Sequence, residues 1–162
     1  MRTAIQHPER VRKLVVVSAP FSNTGWYPEV LVAFQHLGRG LAEMMRPSPN
    51  FQTYAAVSPH PEQFGTLLDK TGELETRSFD WSADIAKLAM PVLLVFADAD
   101  AMPASYAVRF YELLGGGKRD GGLDGSGRSS ASLAILPGHT HYDLFESPAL
   151  IAAVEPFLDA QK

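Results

Sequence analysis

Two carboxylates and two histidines stand at comparable places in this 162-residue chain. Asp98 and Asp100 follow the apolar run Val92-Leu93-Leu94-Val95-Phe96-Ala97, and His139 and His141 follow Ser132-Leu133-Ala134-Ile135-Leu136 and the pair Pro137-Gly138. A carboxylate that accepts an imidazole N–H fixes the tautomer and stabilises the imidazolium, while the other ring nitrogen takes a proton from a nucleophile. One acid and one histidine from these pairs would make the acid–base part of such a site. Ser18 ends a third run, Lys13-Leu14-Val15-Val16-Val17. It is a candidate substitute nucleophile, but nothing in the sequence activates it, and an ordinary strand-end serine is the plainer reading.

Other chemistries fit less well. His139-x-His141-x-Asp143 has the alternation of a metal-binding run, but Leu144 stands where another histidine would follow, so no metal site is expected. Asp98-x-Asp100 has the spacing of an aspartate nucleophile, but Met102 replaces the Thr or Val of that motif. Asp120, Asp124 and Ser126 match no calcium loop. Gly117-Lys118 continues into Arg119, so there is no phosphate loop.

The three apolar runs are short and rich in β-branched residues, as strands covered on both faces are. Each is followed by turn residues and then by helix-like sequence, the alternation of an α/β fold. In such sheets functional groups lie just past the carboxyl ends of the strands, where the acids and histidines stand. A helix is expected between Pro103 and Leu114, stopped by Gly115-Gly116-Gly117, and a last one begins at Pro148, capped by Ser147 and kinked at Pro156. Thr3 to Gln6 read as the end of a helix before His7-Pro8. Residues 21–85 are too many for a simple crossover and are expected to form a helical insertion, with one stripe through Leu31, Phe34, Leu37, Leu41, Met44 and Met45. The glycine-rich residues 115–131 read as a flexible surface loop.

Composition narrows the partners. With 46% hydrophobic residues the chain can bury the core of one globular domain. A net charge of -4 with scattered Lys and Arg argues against nucleic acid. The absence of cysteine excludes disulfides, thiolate nucleophiles and Cys-ligated zinc. No run reaches membrane-spanning length and the N-terminus has no apolar signal region, which together favour a cytoplasmic protein that does not engage membranes.

The arrangement Ala97-x-x-Asp100-x-x-Pro103, helix, strand, Leu136-Pro137-Gly138-x-x-His141, closing helix resembles the C-terminal half of the α/β-hydrolase family. Ala4-Ile5-Gln6-His7-Pro8-Glu9-Arg10-Val11 leading into Lys13-Leu14-Val15-Val16 is similar to that family's stretch from the nucleophile helix to the sixth strand. Trp81-Ser82-Ala83-Asp84-Ile85-Ala86 before Met90-Pro91 is similar to its lead into the seventh. The resemblance implies a partial fold with a parallel sheet of about three strands, residues 1–20 and 86–162 forming core and residues 21–85 a helical cap. It makes Asp100 rather than Asp98 the triad acid, and His141 rather than His139 the base. The activity implied is that of a serine hydrolase of carboxylesterase or lipase type acting on a small-molecule ester without a cofactor, with Phe21, Trp26 and Met102 lining an acyl pocket.

The departures are equally specific. Ala97 stands where the family usually has glycine, and no G-x-S-x-G elbow occurs. Ser129 comes nearest, but within the glycine-rich loop. By this matching the sequence begins inside the nucleophile's own helix. The alternative expectation is therefore a truncated, catalytically inactive half-domain. The Lys13 to Ser18 strand would then be an exposed edge through which the chain self-associates as a homo-oligomer.

Overall fold

A computed structural model of the chain describes residues 1–160. In chain order its elements are α1 (Arg2–Gln6), β1 (Leu14–Val17), α2 (Pro28–Gln35), α3 (Ala42–Met45), α4 (Pro49–Val57), α5 (Phe64–Glu75), α6 (Ser82–Ile85), β2 (Val92–Ala99), α7 (Ala104–Leu113), β3 (Ala131–Thr140) and α8 (Pro148–Asp159). The chain divides into two compact units, Met1–Tyr27 with Phe79–Lys162, and Pro28–Ser78.

The first unit is built on one parallel sheet in the order β1-β2-β3. Its central strand is the most apolar run of the sequence, and Val92 to Ala97 are all buried, as a strand flanked by neighbours and covered on both faces requires. Val16, Leu94 and Phe96 pack with Phe21, Ile85, Met102, Tyr106, Ala107 and Phe110 in one core cluster. The compact sheet unit runs to Tyr27 and resumes at Phe79, with Phe21 and Ile85 in the core beside the sheet. The chain is held there by Trp81 N–H donating to Phe21 C=O at 2.9 Å.

Tyr106 on α7 fixes the segment after β1. Its ring stacks on Phe21 at 4.6 Å, and its hydroxyl receives the backbone N–H groups of Phe21 and Ser22 at 3.0 and 2.9 Å. Gly25 lies against the same ring, where a Cβ would come within 2.5 Å of Tyr106 Cζ. Only glycine fits that approach.

Helix α8 is capped by the Ser147 hydroxyl, which accepts Ala149 N–H at 3.1 Å. The helix continues through Pro156, which lies in its last turn, to Asp159. Its far end is closed by Lys13, whose ammonium donates to the carbonyls of Phe157, Leu158 and Ala160 at 2.8, 2.8 and 2.5 Å. A cation at a helix C-terminus satisfies unpaired carbonyls and opposes the negative end of the dipole.

The second unit is helical, with Phe64 and Leu68 buried on α5. The single stripe expected from Leu31 to Met45 is broken. Helix α2 ends at Gln35, and a 3-10 turn over Arg39–Leu41 leads into the short α3. The break is stabilised from outside, because the Asp69 carboxylate accepts both the backbone N–H of Arg39 and its guanidinium, at 2.7 and 2.6 Å. Residues 115–130 of the sheet unit are knitted by turns: Asp120 and Asp124 accept the N–H groups of Gly122 and Ser126. Those carboxylates brace the loop. Among the described residues no helix is long and apolar enough to cross a membrane.

Candidate functional site at the carboxyl ends of β2 and β3

The sequence expectation ends β3 at Pro137-Gly138, but the strand continues to Thr140 by way of an irregularity. Ala97 pairs with Leu136 and Ala99 with Thr140, so Pro137, Gly138 and His139 stand opposite the single residue Asp98. Proline has no N–H to lose and Gly138 takes φ +77, so this pair suits a bulge. The two freed donors, Gly138 N–H and His139 N–H, go to Asp98 Oδ1 at 2.9 and 3.3 Å. These backbone donors, Gly138 first, hold the Asp98 carboxyl below its ordinary range. The bulge changes the direction of the chain, and His141 follows directly from it.

Asp100 is buried, with its side chain 1% exposed, whereas the His141 side chain is 22% exposed. Asp100 Oδ1 lies 3.0 Å from His141 Nδ1. Its Oδ2 receives the Ser18 hydroxyl at 2.5 Å and the Ala97 backbone N–H at 3.1 Å. Burial alone would favour the neutral acid. The hydrogen bonds from His141, Ser18 and Ala97, with the attraction of His141, outweigh it and hold the carboxyl below the usual range. An ionised carboxylate only accepts, so His141 Nδ1 carries the proton. In the neutral ring Nε2 then keeps the lone pair, and it makes no hydrogen bond among the described residues. A histidine so oriented can act as a general base.

Aromatic rings surround the imidazole. Trp26 meets it edge-on at 5.4 Å, and Tyr142 and Phe145 do so at 5.4 and 6.4 Å. Of the three residues expected to line an acyl pocket, Trp26 is thus beside His141. Phe21 and Met102, at 1% and 2% exposure, are instead packed into the core cluster.

His139 turns elsewhere. Its Nε2 is 2.8 Å from the Ser147 hydroxyl at the start of α8, and Asp143 binds the backbone N–H of Thr140 at 2.7 Å. Within the H-x-H-x-D run His139 Nδ1 lies 3.7 Å from Asp143 Oδ1, while His141 turns to Asp100 instead, and no cluster of three or more potential metal ligands forms among the described residues. Ser129 donates its hydroxyl to Ala131 C=O at the start of β3.

No protein-family model matches the sequence, and no curated protein matches it. Solved structures do. A meta-cleavage product hydrolase from Pseudomonas fluorescens superposes with a TM-score of 0.62 at 17% identity, over 99% of this chain and 60% of the other. The fold is that of the α/β-hydrolases. A carboxylesterase from Bacillus subtilis shares this α/β-hydrolase fold with a TM-score of 0.59 at 18% identity, over 98% of this chain and 55% of that one. A serine hydrolase involved in carbazole degradation does so with 0.57 at 20% identity, over 99% and 58%. The present chain thus spans about 60% of the length of the α/β-hydrolase structures it matches.

The residues that sequence reasoning undervalued at this site are Ser18 and Asp98. A polar residue closing each strand of a parallel sheet was a signal that both could face the same cleft.

Proposed function

We propose that Asp100 and His141 are the acid and base of a serine hydrolase of carboxylesterase or lipase type, acting on a small-molecule ester without a cofactor. The observation that carries this reading is the 3.0 Å contact between a buried carboxylate and His141 Nδ1, with no hydrogen bond to Nε2 among the described residues. The hydrolytic activities named for proteins of the same fold support it. In the reaction a serine hydroxyl attacks the ester carbonyl as its proton passes to His141 Nε2, and Asp100 stabilises the imidazolium. His141 then protonates the departing alcohol. It next takes a proton from the water that attacks the acyl-enzyme and returns it to the serine oxygen as the acid departs.

No described serine hydrogen-bonds His141, and the sequence holds no G-x-S-x-G elbow. The attacking serine in this proposal belongs to a longer parent chain. Translating the coding DNA upstream of Met1 tests it: an in-frame elbow within a few helical turns is expected, and its absence overturns the serine mechanism. In the extended protein, His141→Ala should lower aryl-ester hydrolysis by about 10³-fold or more. The 162-residue chain alone should show no turnover that His141→Ala abolishes.

A second reading is a catalytically inactive unit that acts by self-association. It is favoured by the place of β1, which has a partner on one side only among the described strands. Sedimentation of the purified chain should show dimers or larger species at micromolar concentration. A monodisperse monomer would sink it.

A further inference from the structure

We infer that Ser18 is a positioning residue for the Asp100–His141 pair, its hydroxyl fixing the carboxylate orientation that presents Oδ1 to the histidine. This rests on the reading of that pair as acid and base.

Three observations converge on the serine. Ser18 has φ +41, in the left-handed region that residues with a Cβ avoid, and it is the one non-glycine residue found there among those described. Its backbone N–H still donates to Val95 C=O at 2.9 Å, so the chain follows the sheet up to this residue and turns only after it. Its side chain is buried, and the hydroxyl donates to Asp100 Oδ2 at 2.5 Å. A position that glycine would occupy with less strain is thus held by the smallest side chain that carries a donor.

The geometry assigns that donor its work. Oδ2 is engaged by Ser18 and by Ala97 N–H, while Oδ1 is left to His141. The bonds on both oxygens set the plane of the carboxylate, so turning that plane by a quarter turn would sacrifice bonds on both sides. Without the hydroxyl, Oδ2 keeps only the Ala97 bond. The carboxylate then loses a donor that stabilises its charge and part of what fixes its plane relative to the imidazole. Because the Ser18 proton points at Asp100, this serine is not the group that His141 would deprotonate.

The test compares Ser18→Gly and Ser18→Ala with the unmodified 162-residue chain, following the Asp100 side-chain carboxyl by ¹³C NMR and the His141 ring by ¹⁵N NMR across pH. Both variants lack the hydroxyl, but only glycine also relieves the backbone. Both should raise the proton affinity of Asp100 to the same extent, about tenfold, as expected for losing one hydrogen bond to a charged group. Ser18→Gly should melt at a higher temperature than Ser18→Ala. An unmoved Asp100 titration in Ser18→Gly would overturn the proposal, because a serine kept only for its turn is replaced by glycine without cost. If Ser18→Ala does not fold, Ser18→Gly decides alone. An inactive extended chain would refute the hydrolase reading without moving this titration, and an unmoved titration would refute the role of Ser18 without touching the hydrolase reading.

Discussion

Asp98 Oδ1 accepts the backbone N–H of Gly138 at 2.9 Å across the bulge, so an exposed carboxylate determines how β3 arrives at His141. Asp98→Ala removes the acceptor for both bulge donors and should loosen the approach. The expected result is a broadened or lost His141 Nδ1–H proton signal with the sheet retained. Asp98→Asn keeps an acceptor oxygen and should preserve the signal. Gly138→Ala, at φ +77, should destabilise the fold by about 1–2 kcal/mol in urea unfolding.

The Tyr106 hydroxyl is the acceptor for two buried backbone donors, those of Phe21 and Ser22. Tyr106→Phe leaves both without it and should destabilise by about 2–4 kcal/mol, measured by chemical denaturation. Gly25→Ala forces the same ring to move and should also destabilise the protein. A stability change under about 0.5 kcal/mol in Tyr106→Phe would contradict this account.

Lys13 donates to three carbonyls at the end of α8. Lys13→Met keeps most of the aliphatic length but loses the charge and the donors. It should reduce stability by about 1–2 kcal/mol, with the fastest gain in amide exchange in the last turn of α8. Unchanged exchange there would show that the clamp does not hold in solution.

Acid should dismantle the site. Asp98, Asp100 and Asp143 all have folded pKa values below the ordinary aspartate value of about 3.9. For Asp98 and Asp143 the leading cause is a backbone N–H donor, and for Asp100 the hydrogen bonds overcome burial. A depressed folded value means that the stabilisation is complete above the unfolded value and is lost as pH falls through the folded one. The urea midpoint should therefore hold near neutrality and fall below about pH 4. In Asp100→Asn that fall should be shallower, and an equally steep one would remove Asp100 from the explanation.

The strands were legible because a parallel sheet demands short, fully apolar runs, and Val92 to Ala97 can be little else. The pairing of Asp100 with His141 in space follows from two strand ends lying side by side. Periodicity could not separate lining from core, so Phe21 and Met102, expected at a pocket, turn out to pack beside the sheet. The bulge was hidden because Pro137-Gly138 reads equally well as a strand end, and only the partner strand reveals that pairing resumes at Thr140. Lys13 was opaque for a related reason. Its partners lie far away in sequence, and no local pattern encodes them.

That distance governs how the protein is made. The Lys13 contacts join residues 144 to 147 positions apart, and the sheet pairs its first strand with one near the middle of the chain. High contact order slows folding, because loop closure is paid before the contacts that reward it. During synthesis β1 emerges long before β2, and their pairing waits until β2 has followed. The clamp on α8 closes only after Phe157 to Ala160 have left the ribosome, so slowed translation between β1 and α8 should lengthen the interval in which this chain is vulnerable to aggregation.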